Sequence, residues 1–183
     1  MKNFIQIILL CVLSMPIFAQ TSKFHTSTGT VYFSSIAPLE TIESSNRQVL
    51  AIFEPSTGKM AFKVLMKSFV FEKAAMQDHF NKNYLHTDKY PNATFDGTIK
   101  NIDAYNFSRP GSYKVEVLGN LTIHGITKEL LATGLVIVKD ESITLQSSFP
   151  VNLADFGVKI PANFVNNISK SVQVRVDCEL LPK

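Results

Sequence analysis

The 183-residue sequence contains no tryptophan and only two cysteines, Cys11 and Cys178. The absence of tryptophan removes one common platform for stacking sugars. The sequence also has no Gly-x-Ser-x-Gly nucleophile elbow and no glycine-rich phosphate loop, so two common enzyme signatures are missing. Its formal net charge is only +3 and its basic residues are scattered. We therefore expect no nucleic-acid partner, because such proteins usually carry a concentrated basic surface.

The segment from Met1 to Ala19 has the composition of a secretory signal peptide. Lys2 supplies the positive start, residues 4–13 form an apolar run, and Ala19 ends a cleavage site before Gln20. The run is too short for a comfortable membrane span, and no later segment approaches one. We therefore predict an exported protein, periplasmic or secreted, with no transmembrane segment. Its mature domain would be residues 20–183, with a formal charge of +2 because cleavage removes Lys2 and no acid.

The mature chain is long enough for one domain with a substantial core. Cys178 would be its single thiol, so an internal disulfide cannot form and stability must come from packing. Cys178 continues an alternating apolar face that includes Val174 and Val176. We therefore predict that it is buried, unpaired and inert rather than nucleophilic.

Strand patterns recur along the mature chain with turn residues between them. The clearest is residues 171–180, in which apolar and polar residues alternate; the others are residues 30–33, 49–54, 59–67, 93–102, 113–123, 127–139 and 142–151. Residues 21–28 are interpreted as a polar lead, and residues 36–42 as a short helix or an irregular corner. Glu72 to Tyr84 contains good helix formers and no glycine or proline, which predicts one helix.

About eight strands linked mostly by short reversals predict an all-β fold, a single antiparallel β-barrel with one helix inserted between strands. Eight strands leave an interior that side chains fill or that one elongated ligand occupies. The apolar faces of the clearest strands provide the candidate lining residues, which are Phe62, Val64, Phe95, Val115, Val117, Phe149, Val174 and Val176. His79, Tyr84 and Tyr90 are the candidates for the mouth of the cavity.

The histidines do not form a convincing metal site. His79, His86 and Asp88 could be interpreted as ligands, but the helix is expected to end between the two histidines, and no cysteine or glutamate completes the set. We therefore predict no metal and no cofactor. His124 precedes a glycine in a tight reversal, where we expect it to hydrogen-bond the turn backbone.

Three ordered motifs carry a family resemblance. In chain order, they are Lys89-Tyr90-Pro91 before Thr94-Phe95, then Leu121 to Lys128, which reads Leu-Thr-Ile-His-Gly-Ile-Thr-Lys, and finally Asp155-Phe156-Gly157-Val158. Together they resemble the YceI-like family, bacterial polyisoprenoid-binding proteins with a lipocalin-like barrel. The resemblance extends over roughly residues 29–181. It implies a lipocalin-like fold and an amphiphilic ligand with a long isoprenoid-type chain.

Four positions depart from the family pattern. Met76-Gln77 stands where the family has Arg-Asp, His86 aligns with an Asp, and Ala154 takes the place of an Arg. If those charged residues orient a ligand headgroup in relatives, this protein must do so differently.

Together these observations predict an exported, non-catalytic binding or carrier protein for an amphiphilic lipid. One alternative is a filled barrel that acts as an envelope interaction module without a small ligand. Another is a barrel enzyme acting on a lipid-like substrate, which would need a perturbed acid or base in the cavity, and none is identifiable. The sequence leaves a homodimer open.

Overall fold

Nine β-strands make up most of residues 23–183, the part of the chain that the computed structural model describes. They are β1 (Phe24–Ile36), β2 (Thr41–Glu54), β3 (Lys59–Leu65), β4 (Val70–Phe71), β5 (Asn92–Ile99), β6 (Gly111–Ile123), β7 (Ile126–Val138), β8 (Ile143–Asn152) and β9 (Ser171–Pro182). The predicted signal peptide, Met1 to Ala19, lies outside the described residues.

Eight of these strands close into an antiparallel barrel, as the sequence predicts. Their order is β1-β9-β8-β7-β6-β5-β3-β2, and β1 also pairs with β2, which completes the circle. The short β4 is not a barrel strand; it pairs with two residues of β2, Ser44 and Ser45. Within residues 23–183, closure leaves no long strand with an unpaired edge, and this removes the usual site of edge-to-edge aggregation.

The β6–β7 hairpin shows how local sequence sets the register. Ile123 and Ile126 lie directly opposite each other, so the loop contains only His124 and Gly125. Both residues have positive φ, 52° and 76°, as a two-residue type I′ hairpin turn requires. A side chain at Gly125 would also collide with the ring of Tyr90.

The inserted helix is α1 (Ala74–His79), which continues into a π-helical turn over Phe80–Tyr84. The predicted helix from Glu72 is therefore confirmed, and its start lies two residues later. Short 3₁₀ segments occur at Met66–Ser68, Ile102–Ala104, Leu153–Phe156 and Ala162–Phe164. Among the helices of residues 23–183, none has the length and apolar character needed to cross a membrane.

One sequence interpretation at the start of the barrel is wrong, and a second is resolved. Residues 24–28, interpreted as a polar lead, belong to β1, where Phe24 pairs with Phe53 on one side and Pro182 on the other. Pairing on both sides holds these polar residues in a strand that their own composition does not favour. Of the two alternatives for residues 36–42, the irregular corner is confirmed and the helix is wrong, because residues 37–40 form a bend between the end of β1 at Ile36 and the start of β2 at Thr41.

Because neighbouring strands are antiparallel, their connections alternate between the two ends of the barrel. We call the end that carries residues 55–58, 100–110 and 139–142 the packed end. The opposite end, which carries residues 37–40, 66–91, 124–125 and 153–170, is called the helix end.

Large apolar side chains fill the packed end. Phe53 and Leu180 have no exposed surface, and only 1% of Ile143 is exposed. Phe107, from the connection over residues 100–110, packs edge-on against Phe53, with 5.7 Å between ring centroids. It also meets the Tyr113 ring at 5.1 Å, and the Tyr113 hydroxyl bonds to backbone carbonyls of that connection. The packed end is therefore a conventional close-packed core.

Cys178 belongs to this packed region. It has no exposed surface and is a free cysteine, which confirms the prediction from the alternation of β9. Burial raises the pKa of its thiol to about 12. The sulfur therefore stays protonated at neutral pH and cannot act as a thiolate nucleophile.

Candidate ligand-binding cavity

The inward face of β9 is tightly buried near the packed end and open in the middle of the barrel. Cys178 and Leu180 have no exposed surface, whereas Val176 and Val174 are only half-buried. Val172, nearest the helix end, is buried again at 8% exposure. Side chains that point into a barrel yet keep exposed surface face a hollow space, so the middle of this barrel contains a cavity.

The cavity has a volume of about 310 Å³ and is lined by residues from all eight barrel strands. This volume lies near the lower end of the roughly 300–1,000 Å³ that is typical of ligand pockets. Most lining residues are valine, leucine, isoleucine, methionine or phenylalanine. Such a wall suits an apolar chain rather than a polar metabolite.

The structure places ten of the eleven predicted site residues in this lining. They are Phe62, Val64, His79, Tyr84, Phe95, Val115, Val117, Phe149, Val174 and Val176. Tyr90 is not among the lining residues, because its ring packs edge-on against the imidazole of His124, with centroids 4.7 Å apart. Whether the ten residues bind a ligand stays a prediction.

Sequence reasoning missed part of the wall. Val31 and Phe33 of β1 line the cavity, and their alternation with polar neighbours was a usable signal. Phe156, Val158 and Phe164 also line it from the irregular segment at the helix end. No periodic pattern marks those three, because the segment is neither a strand nor a long helix.

The ring of Phe80 is the main aromatic contact between the helix and the barrel wall. Phe80 stacks on Phe33, with 5.8 Å between centroids and 16° between planes. It also contacts Phe69 at 5.5 Å and Phe71 at 5.0 Å. No side chain of α1 or its π-helical turn is fully buried. The helix is therefore attached much less firmly than the strands, and it belongs to the low-stability part of the fold.

Polar contacts around Glu40 connect the helix to the rest of the helix end. Lys73, the residue before α1, places its Nζ 3.5 Å from Glu40 Oε1. Asn167 donates from Nδ2 to Glu40 Oε2 at 3.4 Å. Glu40 itself lines the cavity. One carboxylate therefore holds the start of the helix and the segment over residues 153–170 together at the rim.

The lining has few groups that could perform chemistry. Its serines are engaged with backbone: Ser35 Oγ accepts from the Ser169 N–H at 2.9 Å, and Ser147 Oγ donates to the Thr133 carbonyl at 2.8 Å. In the described part of the chain, neither serine is paired with a side-chain base, as an activated serine would be. Within residues 23–183 no three His, Cys, Asp or Glu side chains are grouped so that they could hold a metal. Burial raises the pKa of the Tyr84 phenol, which keeps this group a neutral hydrogen-bonding side chain.

A histidine pair lies at the helix end, outside the cavity lining. His86 Nδ1 is 2.8 Å from His124 Nε2, and His124 Nδ1 is 3.1 Å from the Phe156 carbonyl oxygen. Since a carbonyl only accepts, His124 Nδ1 donates to it; a neutral His124 then accepts at Nε2 from His86. His124 was expected to bond its own turn, and this was wrong: it reaches across to another segment. No pattern in the sequence joins two residues that are 38 positions apart.

The fold and the cavity together define a class: a closed antiparallel barrel whose apolar interior is hollow in the middle and walled by a helix at one end. The sequence shows which family within that class. Residues 17–180 match the family model of the YceI-like domain, and the chain belongs to this family.

Solved structures with the same fold include a polyisoprenoid binding domain from Saccharophagus degradans. That domain has a TM-score of 0.75 and 13% identity, over 89% of this chain and 99% of that one. Burkholderia cenocepacia BcnA has a TM-score of 0.69 and 20% identity, over 83% and 95%. The Campylobacter jejuni YCEI protein has a TM-score of 0.60 and 18% identity, over 76% and 84%. At these identities the likeness establishes the fold. A comparison with curated proteins gave no match.

Proposed function

We propose that this protein is an exported, non-catalytic binding or carrier protein for an amphiphilic lipid with a long isoprenoid-type chain. The observation that carries the proposal is the apolar cavity of about 310 Å³ in the middle of the barrel. Family membership and the Saccharophagus degradans domain, which is described as polyisoprenoid binding, support the isoprenoid identity of the chain.

Burial of apolar surface would provide the affinity. Transfer of a hydrocarbon chain from water contributes about 25 cal/mol per Å² of buried surface, before the cost of ordering the chain. Branched side chains such as Val117 and Val174 line the cavity, and methyl-branched isoprene units pack well against such surfaces. Displacement of the weakly anchored helix would provide additional room for a long chain.

Export is supported by the leader pattern of Lys2, the apolar run and Ala19. An exported barrel with an apolar cavity would shield a water-insoluble chain in an aqueous compartment. The carrier role therefore combines two independent features, the leader and the cavity.

Two alternatives have less support. A filled barrel without a small ligand would have its mid-barrel side chains packed like Phe53, whereas Val174 and Val176 are half-buried. An enzyme would need a nucleophile–base pair in the cavity, and Ser35 and Ser147 instead bond to backbone groups.

The test is to purify the protein, expressed with its own leader, from the envelope fraction of its native host and to identify extracted lipids by mass spectrometry. We expect a long-chain isoprenoid in the wild-type sample and its loss from Val174→Asp, with circular dichroism showing that the variant is folded. N-terminal sequencing of the same sample should begin at Gln20. Retention of Met1 would contradict export, and a lipid-free cavity that also fails to take up an added polyprenol would contradict the carrier role.

A further inference from the structure

A small set of polar groups lies at the helix end of the cavity, and it includes an acid but no lysine or arginine among the described residues. Glu40 is the one lining residue, among those described, whose side chain is an acid, and no lysine or arginine of residues 23–183 lines the cavity. The other titratable lining groups are His79 and Tyr84. Apart from His79, the polar part of the wall therefore has no side chain that can carry a positive charge.

One lysine that is not part of the wall pairs with Glu40. Lys73 is 63% exposed and pairs with Glu40 from the solvent side, at 3.5 Å. The second oxygen of Glu40 is occupied by the Asn167 amide. A phosphate group that enters the mouth would thus meet a carboxylate, and the lysine beside that carboxylate is already paired with it.

One polar group is available to an uncharged ligand. Ser35 is 2% exposed and lines the cavity. Its oxygen accepts from the Ser169 N–H at 2.9 Å, and this bond leaves the hydroxyl hydrogen of Ser35 free to be donated. A ligand hydroxyl or carbonyl oxygen is the natural acceptor for such a buried donor.

We propose that the headgroup of the bound lipid is an uncharged, oxygen-bearing group such as an alcohol or a carbonyl, and that Glu40 disfavours lipids with a phosphate or diphosphate head. This inference rests on the proposed function, since it specifies the polar end of the same ligand. The physical reason is that two anions close together at a partly desolvated site repel each other, and neither regains its lost hydration. An uncharged oxygen instead gains a hydrogen bond at the same place.

The experiment compares two probes of equal chain length, a long-chain polyprenol and the corresponding polyprenyl diphosphate, by titration calorimetry. For the wild type we expect the alcohol to bind more tightly by about tenfold or more. Glu40→Gln removes the charge and keeps the shape, so diphosphate binding should rise and the preference for the alcohol should shrink by about tenfold.

A matched pair of variants separates charge from structure. Glu40→Gln and Lys73→Gln both break the same ion pair, but Lys73→Gln leaves Glu40 uncompensated and should weaken diphosphate binding further. Glu43→Gln makes the same charge change at an exposed position three residues away that does not line the cavity, and it should change neither affinity. Opposite shifts from the first two variants would support the proposal.

The outcomes also distinguish a failure of the headgroup inference from a failure of the proposed lipid-carrier function. If the wild type binds the diphosphate as tightly as the alcohol, or if Glu40→Gln behaves like Glu43→Gln, the headgroup inference is overturned and the lipid-carrier function stands. If the folded wild type binds neither probe, the proposed function fails, and the inference fails with it.

Discussion

Phe53 at the packed end has no exposed surface, whereas Phe80 at the helix end is half-buried, although both belong to the aromatic clusters of one barrel. Phe53 is held by two barrel strands and by Phe107. Phe80 is the anchor of a helix that has no fully buried side chain. The same strands thus concentrate close packing at one end and leave free volume and a loosely held wall toward the other. Stability and binding should therefore respond to mutations at different ends.

The largest expected effect is on stability at the packed end. Phe53→Ala should lower the free energy of unfolding by about 3–5 kcal/mol, because it opens a hole in a close-packed core. Phe80→Ala, at a half-buried position, should cost about 1–2 kcal/mol. Urea denaturation followed by circular dichroism measures both values. Equal losses from the two substitutions would contradict the contrast between the two ends.

The next effect is on binding in the middle of the barrel. Val174→Asp should weaken binding of a long-chain polyprenol by about 100-fold or more, near 2.7 kcal/mol, because a charge facing an apolar ligand is uncompensated. Val174→Ala should lower the affinity only modestly and keep the fold. Titration calorimetry on variants that circular dichroism shows to be folded provides the measurement. Unchanged affinity in both would remove the cavity from the binding mechanism.

Substitution and chemical labelling of Cys178 test whether the packed end excludes water. Cys178→Ser should cost about 1–3 kcal/mol, because the inserted hydroxyl needs a hydrogen-bond partner. A thiol reagent should label the native protein slowly and the denatured protein rapidly. Fast labelling of the native state would contradict the burial of this strand end.

The same thiol predicts how stability depends on alkaline pH. Its pKa is raised from the ordinary value of 9.0 to about 12 in the folded protein, so between these values the folded state keeps a proton that the unfolded state has lost. The contribution of this group is therefore complete below pH 9 and is lost as the pH rises toward 12. Cys178→Ala should remove this part of the pH dependence in denaturation curves recorded over that interval.

The histidine pair should have a smaller effect, at the helix end alone. His86→Ala removes the bond to His124 and should destabilise the protein by about 1 kcal/mol. His86 has a positive φ of 42°, so His86→Gly loses the same bond but relieves backbone strain and should cost less. Thermal denaturation compares the two variants. If the glycine variant were less stable than the alanine variant, backbone strain at residue 86 would not explain the stability difference between them.

The smallest effect is expected from His79. It lines the cavity but is exposed, so His79→Ala should weaken polyprenol binding by about 1 kcal/mol or less, the value of one hydrogen bond. A loss as large as that of Val174→Asp would instead place His79 at the centre of recognition.

The sequence predicted the barrel and most of the cavity wall because both depend on strand alternation. Successive side chains of a strand point to opposite faces. Val174 and Val176 therefore point inward, like Cys178 and Leu180 on the same strand. Alternation does not tell a filled interior from a hollow one, since that depends on which connections cover each end. Phe107 fills the packed end from an irregular loop, and no periodic pattern in the sequence predicts this position.

Contacts between distant segments were the other part that the sequence did not reveal. Tyr90 was expected at the mouth, but the missing side chain of Gly125 makes room for its ring on the β6–β7 turn. The start of β1 was interpreted as a lead because residues 24–28 are mostly polar, and pairing with β2 and β9 overrides that composition.

The pairing of β1 with β9 also determines where a tether would be attached to the molecule. The Lys183 N–H donates to the Lys23 carbonyl at 2.8 Å, so residues 23 and 183 are neighbours at the packed end. A linker joined at residue 183 would therefore leave from the side opposite the cavity mouth. An affinity tag or a surface linker joined there would present the helix end outward and leave it unobstructed. A short linker between the same two residues, with new termini at residues 139–142, should yield a circular permutant with an unchanged mouth.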